Sequence, residues 1–393
     1  MNEKNNAIKK NIYFENLNGL RFICFLSVFF YHSFHSDLSE IRSNYFYHFI
    51  RKDIFGNGNL GVNFFFVLSG FLITFLLIEE KKLNTQINIK NFWFRRILRI
   101  WPLYFLCVIF GFWIYPHLLM LFGQVPKETA NPIAYLTFIN NFDLIKKGLP
   151  EAPNLSVLWS VAIEEQFYLV WPIIIFLFPI KRLWVPFSVI LISSSIFRAF
   201  NDNYMDHEHH TLSCIGDMTM GAVGAWLITI SSKFKKGIET MTKNHILIIY
   251  CFFIFIFFFR DEVFYEYFVM RIFERMIISS IIILIILEQT FSINSFFKMK
   301  TFKKISNLGT ITYGLYCLHY LGILIITTIA KKLSLNVHLW QVIFIIPSLS
   351  LLLTIIISKL SYKYFETPFL KFKKRFSIFK MESEVNKPDS FSI

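Results

Sequence analysis

Three pairs of ionisable residues lie inside apolar runs of this chain, and their types and spacing frame the question of what it does. Arg21 and His32 share the run LNGLRFICFLSVFFYHSF (17–34). Eleven residues of helix separate them by roughly 16 Å along the axis but only about 20° around it, so they share one face. A fixed cation and a titratable imidazole in one line suggest a path through apolar surroundings, because ionisable groups in a span turn towards a bundle interior or a watery cavity. The plainer reading is a snorkelling Arg with an interfacial His. Arg96 and Arg99, in FWFRRILRIWPLYF (92–105), are three residues apart and share a face, with Pro102 just beyond. Two guanidinium forks side by side suit bidentate phosphate binding, although the same cluster also serves as a positive anchor at a membrane surface. Glu164 and Glu165 lie in NLSVLWSVAIEEQFYLVWP (154–172). A carboxylate at mid-span is costly unless paired or protonated. Being about 100° apart on the helix, one can orient His32 or another cation while its neighbour faces elsewhere.

Other residues carry weaker signals. Ser69 and Gly70 make a small, polar break in LGVNFFFVLSGFLITFLLI, either a helix-packing notch or a place for a ligand to approach. His319, in LGTITYGLYCLHYLG (308–322), reads as a satisfied core histidine before it reads as a catalytic one. Arg271, Glu274 and Arg275 are spaced for mutual pairing, with a sugar-binding rim the alternative, and the DHEHH run (206–210) reads as a solvated loop rather than a metal site. His32 and Asp37 spell His-x4-Asp, but five residues of helix rotate them about 140° apart, so the match is taken as chance.

The elements that must position these groups are membrane helices. Of 393 residues 55% are hydrophobic, 49 of them Phe, and the mean hydropathy is +0.51, more apolar side chain than a soluble domain can hide. The expected fold is an all-α polytopic bundle with about ten spans, near 17–35, 60–78, 97–115, 157–178, 183–200, 211–230, 245–259, 264–288, 308–330 and 340–358. The +14 net charge comes in short clusters between apolar runs, the distribution of the positive-inside rule rather than of nucleic-acid binding. Basic residues crowd every second break, which puts both termini in the cytoplasm and Arg21, Arg96 and Arg99 at one level of the inner side. The five cysteines form no CxxC pair, so neither a disulfide framework nor a zinc site is indicated, and no metal is expected. The chain divides into a membrane domain over 1–375 and a polar, mobile cytoplasmic tail over 376–393, with no room for a soluble catalytic domain. No internal repeat of the transporter kind is visible.

Taken together and in order, Arg21-x10-His32, FFVLSG (65–70), Arg96-x2-Arg99 with IWPLY, LWSVAIEEQFYLVWP (158–172), TYGLYCLHY (312–320) and KYFETPF (363–369) resemble the acyltransferase-3 family of bacterial membrane acyltransferases across essentially the whole chain. The resemblance implies transfer of an acyl group, usually acetyl, from acyl-CoA to a hydroxyl of a cell-envelope or exported glycan, lipid-linked or finished, at the bacterial inner membrane. It assigns His32 as the catalytic histidine and Arg21, Arg96 and Arg99 as the essential arginines, with Ser69 and Glu164–Glu165 lining the site. Tyr104, in IWPLY, joins the donor side. Cys317 and the start ISNLGTITYG depart from the usual pattern, away from the proposed chemistry. Read bottom-up, the arginines can hold the CoA phosphates, and His32 can act as general base, its ordinary pKa near 6.5 suiting that work. Ser69 or a helix terminus would face the oxyanion. The rival from another class is a secondary transporter or flippase in which His32, Glu164 and Glu165 relay protons.

Overall fold

A computed structural model of the protein describes residues 14–376, and the regular structure among them is entirely helical. Ten helices there are long: α1 (Glu15–Ser33), α2 (Leu60–Asn84), α3 (Ile89–Ile109), α4 (Leu158–Leu177), α5 (Trp184–Phe200), α6 (Thr211–Ile230), α7 (Lys243–Phe264), α8 (Phe268–Phe291), α9 (Thr312–Lys332) and α10 (Ile346–Leu360). They coincide with the ten apolar runs. Seven of them, α2 to α6 with α9 and α10, are long and apolar enough to cross a membrane once the short helical turns continuous with them are included, as in Gln341–Lys373 around α10. α1, α7 and α8 are of comparable length but carry charges along them. The protein is an all-α polytopic membrane protein. The tail expected over 376–393 lies, Phe376 apart, outside the described residues.

Local chemistry sets where the helices begin and bend. Asn88 accepts from the Asn91 backbone N–H and so caps α3, and Thr242 does the same for α7 through His245. Pro102 sits inside α3 without ending it, and α3 runs on through a π turn (Phe110–Ile114) into Tyr115–Leu121. α2 occupies the centre, against α1, α4, α6 and α8. Its approach to α6 is possible only without side chains. A Cβ at Gly70 would overlap the Met218 carbonyl oxygen, and one at Gly221 the Val67 carbonyl oxygen. Thus the expected packing notch at 69–70 is real, and Gly70 makes it. At the basic end Lys81 Nζ donates to the carbonyls of Ile175, Phe176 and Phe178 at 2.7, 2.9 and 2.8 Å, holding the negative C-terminal pole of α4 against α2.

The opposite half of the bundle corrects two expectations. The DHEHH run is not a solvated loop: it forms the helix Tyr204–His209, and His207 and Glu208 are buried. Arg271, Glu274 and Arg275 do not pair with one another either. Glu274 binds Arg198 at 2.6 Å and Arg260 at 2.5 Å, Arg275 binds Asp217 at 2.5 Å, and Arg271 reaches Asp202 at 2.9 Å. Glu208 completes the cluster with Arg260 at 2.7 Å. The physical reason is that intrahelical spacing only permits a pair, whereas a helix buried on several sides offers its charges to better-placed neighbours on α5, α6 and α7.

Candidate active site

The two neighbouring carboxylates on α4 part company, as their angular separation requires. Glu164 Oε1 accepts from Ser69 Oγ on α2 at 2.8 Å, and its Oε2 accepts from the Tyr168 hydroxyl, one turn on, at 2.9 Å. Tyr168 also reaches Ser69 Oγ at 3.3 Å. The single Ser69 hydroxyl proton is therefore donated to Glu164 rather than left free for an oxyanion. Glu165 faces α3 instead, where the Trp101 indole N–H donates to its Oε2 at 2.9 Å. Its Oε1 is buried without a partner.

Arg96 lies beside this network. Its guanidinium carbon is 5.5 Å from the Phe92 ring centroid and 5.6 Å from that of Tyr168, and its Nε is buried with no partner. Trp93 donates to the Tyr168 carbonyl at 3.1 Å, which fixes α3 against α4 at this height. Arg96 and Arg99 are both within electrostatic reach of Glu164, and Arg99 also acts on Glu366, whose Oε1 accepts from Ser361 at 3.1 Å. Arg21 is half-buried on α1 and donates to Asn18 Oδ1 at 2.8 Å. Tyr104, expected with the arginines, is fully buried elsewhere. Its hydroxyl bonds the Tyr135 carbonyl at 2.8 Å and Asn140 Oδ1 at 3.1 Å, anchoring the connection between α3 and α4.

His32 is not held by a carboxylate. Its Nδ1 lies 2.6 Å from the Tyr320 hydroxyl on α9, and its ring is tilted 31° to that of His319 with centroids 5.4 Å apart. Asp37, the other half of the His-x4-Asp match, pairs with Lys331 at 2.6 Å, which holds its carboxyl below the usual range. His319 is fully buried, with Nδ1 2.6 Å from the Tyr316 carbonyl. A carbonyl only accepts, so Nδ1 carries the proton and Nε2 presents a lone pair, which has no partner. The histidine is only half-satisfied. The Tyr316 hydroxyl meets Ser160 Oγ at 2.7 Å, and Ser160 lies one turn before Glu164 on α4. The arginine end and the histidine end are therefore linked through Ser160, Tyr316 and His319.

Sequence reasoning passed over Tyr168, Trp101, Glu366 and Tyr320. Tyr168 had a local signal, since it follows Glu164 by four residues on one face. Tyr320 had none as a partner, being 288 residues from His32.

Comparison with known proteins gives the family. The sequence profile of the acyltransferase-3 family, described as an acyltransferase domain, matches residues 14–359. Among curated proteins, the peptidoglycan O-acetyltransferase OatA of Listeria monocytogenes is 26% identical over 80% of this chain and 51% of its own length. The O-acetyltransferase OatA of Staphylococcus aureus is 27% identical over 91% of this chain and 57% of its own. This chain thus spans little more than half the length of these relatives. No solved structure matches it.

Proposed function

This chain belongs to the acyltransferase-3 family of membrane proteins, and we propose that it is an O-acetyltransferase that moves an acetyl group from cytoplasmic acetyl-CoA to a hydroxyl of a cell-surface or exported glycan. In this reading it is a multi-pass protein of the bacterial inner membrane, with both termini cytoplasmic and membrane lipid around it. The observation that carries the reading is the arrangement around Arg96. A half-buried guanidinium whose Nε is out of solvent and unpaired lies over the Tyr168 ring beside Arg99, in the bundle that holds His32 on Tyr320. Such a cation suits a phosphate, whose oxygens accept charge-assisted hydrogen bonds from it. Arg21, Arg96 and Arg99 grip the donor, Ser69 and Tyr168 hold Glu164 opposite them, and Trp101 holds Glu165. Tyr104 supports α3, the helix that presents the two arginines.

In the reaction His32, with Nδ1–H donated to the Tyr320 oxygen, offers the Nε2 lone pair to the acceptor hydroxyl. As that hydroxyl oxygen bonds to the thioester carbon, its proton passes to Nε2. The carbon–sulfur bond then breaks, and the CoA thiolate leaves and recovers the proton from the imidazolium. A proton relay for transport requires His32, Glu164 and Glu165 to exchange protons. Each is instead held by a different partner, on α9, α2 and α3, which favours catalysis.

The test uses purified protein in nanodiscs with acetyl-CoA. Arg96→Ala is expected to weaken acetyl-CoA binding about ten- to a hundredfold, while His32→Ala keeps binding and membrane insertion but turns over about 10²–10⁴-fold more slowly. A folded wild type that binds no acetyl-CoA, or an active and well-inserted His32→Ala protein, overturns the reading.

A further inference from the structure

At the end of the bundle away from Lys81, a cavity of about 240 Å³ opens against Tyr320. This is the side chain whose hydroxyl lies 2.6 Å from His32 Nδ1, so one wall of the cavity is the group that holds the base. We infer that this cavity is the acceptor subsite, receiving a single polyhydroxylated sugar ring whose hydroxyl is presented to His32. The inference rests on the acetyltransferase reading above and adds where its acceptor binds.

Three observations carry it. The first is continuity of chain: Ser36 and Asp37, which line the cavity, follow directly on the last turn of α1 that carries His32. One short segment brings rim and base together. The second is the lining, which is divided as a pyranose is. Ile323 and Leu324 of α9 give an apolar floor for the C–H face of a ring, and Ser36, Asp37 and Lys331 give polar groups for its hydroxyls. The third is what the cavity cannot take. Lys331 is paired with Asp37 at 2.6 Å, so the two charges cancel at the rim and leave no net positive charge there for the phosphates of a CoA. The volume also falls below the roughly 300–1,000 Å³ of pockets for larger ligands. Donor and acceptor would then approach from opposite ends, the donor along Arg96 and Arg99 and the acceptor past Tyr320, and meet at His32.

The experiment is a steady-state split in nanodiscs, with acetyl-CoA as donor and two acceptor probes, chitotetraose and a soluble peptidoglycan digest. Leu324→Trp fills the cavity floor. It is expected to raise KM for the sugar probe at least tenfold, with no matching rise in KM for acetyl-CoA. Ser36→Phe, at the rim, gives the same split if the tryptophan variant fails to fold, and Leu352→Trp, on the exposed face of α10, is the control that moves neither constant. Unchanged sugar KM in a folded Leu324→Trp or Ser36→Phe protein overturns the assignment, as does an equal rise in both constants. A wild type that hydrolyses acetyl-CoA but acetylates neither probe overturns it too. A wild type that consumes no acetyl-CoA instead fails the acetyltransferase reading, so the two failures are told apart by the donor alone.

Discussion

Two clusters of buried charge share this bundle and are treated in opposite ways. Among α5, α6, α7 and α8, the cations Arg198, Arg260 and Arg275 meet the carboxylates of Glu208, Asp217 and Glu274, at 2.5–2.7 Å in their closest pairs and almost wholly out of solvent. Remaining donors go to backbone, Arg198 to the Arg271 carbonyl and Arg275 to those of His207 and Glu208. Asn59 and Asn63 close the edges, leaving one oxygen of Asp217 and, at the rim, Nε of Arg271 unpaired. Charge is balanced and directed inward. Between α2, α3, α4 and α9, by contrast, Arg96 Nε, Glu165 Oε1 and His319 Nε2 are each buried without a partner. A network that closes on itself holds helices together, because every desolvated charge has its opposite in place. A network left open keeps hydrogen-bonding capacity for something that is not part of the chain.

The contrast can be broken at either cluster. The largest effect is expected for Glu274→Gln, which leaves Arg198 and Arg260 facing each other across a neutral amide. A buried pair broken on one side costs about 3–5 kcal/mol, so the melting temperature in detergent should collapse or folded protein be lost. Arg96→Ala should do the reverse. Acetyl-CoA affinity should fall about ten- to a hundredfold, for charge-assisted bonds worth roughly 1.5–3 kcal/mol, while the melting temperature holds or rises. If Arg96→Ala proves as destabilising as Glu274→Gln, the two clusters are of one kind.

Ser69→Ala sharpens the comparison within the open cluster. It removes one of two donors to Glu164, worth about 1 kcal/mol, so a several-fold loss of turnover is expected with no change in the helix packing made by Gly70. The smallest effect belongs to the exposed pair at the cavity rim. Lys331 lowers the Asp37 pKa from its ordinary 3.8, so the pair is intact above the ordinary carboxylate range and is lost only as pH falls through the lowered value. Between about pH 5 and 9 the sugar KM should therefore show no titration from Asp37, which a pH series of Asp37→Asn beside wild type would check.

Much of the frame was legible from residues alone, and the helix at 60–84 shows why. A run of apolar side chains as long as a membrane is thick can satisfy its backbone only within itself, whatever surrounds it. Periodicity likewise put Arg96 and Arg99 on one face and parted Glu164 from Glu165, because both are properties of a single helix. The family too was legible, since its motifs are local strings kept in order. What the sequence could not supply was the choice of partner. The sequence offers His32 a glutamate as one partner among several and the imidazole meets Tyr320, while Tyr104 shares a string with the arginines but faces Tyr135. The His-rich run at 206–210 read as solvated because it is polar, yet the arginines of α7 and α8 draw Glu208 inward. The sequence by itself determined which segments are helices and which face of each carries charge. Only the tertiary structure decided which faces meet, because a contact between helices hundreds of residues apart depends on how the whole bundle packs.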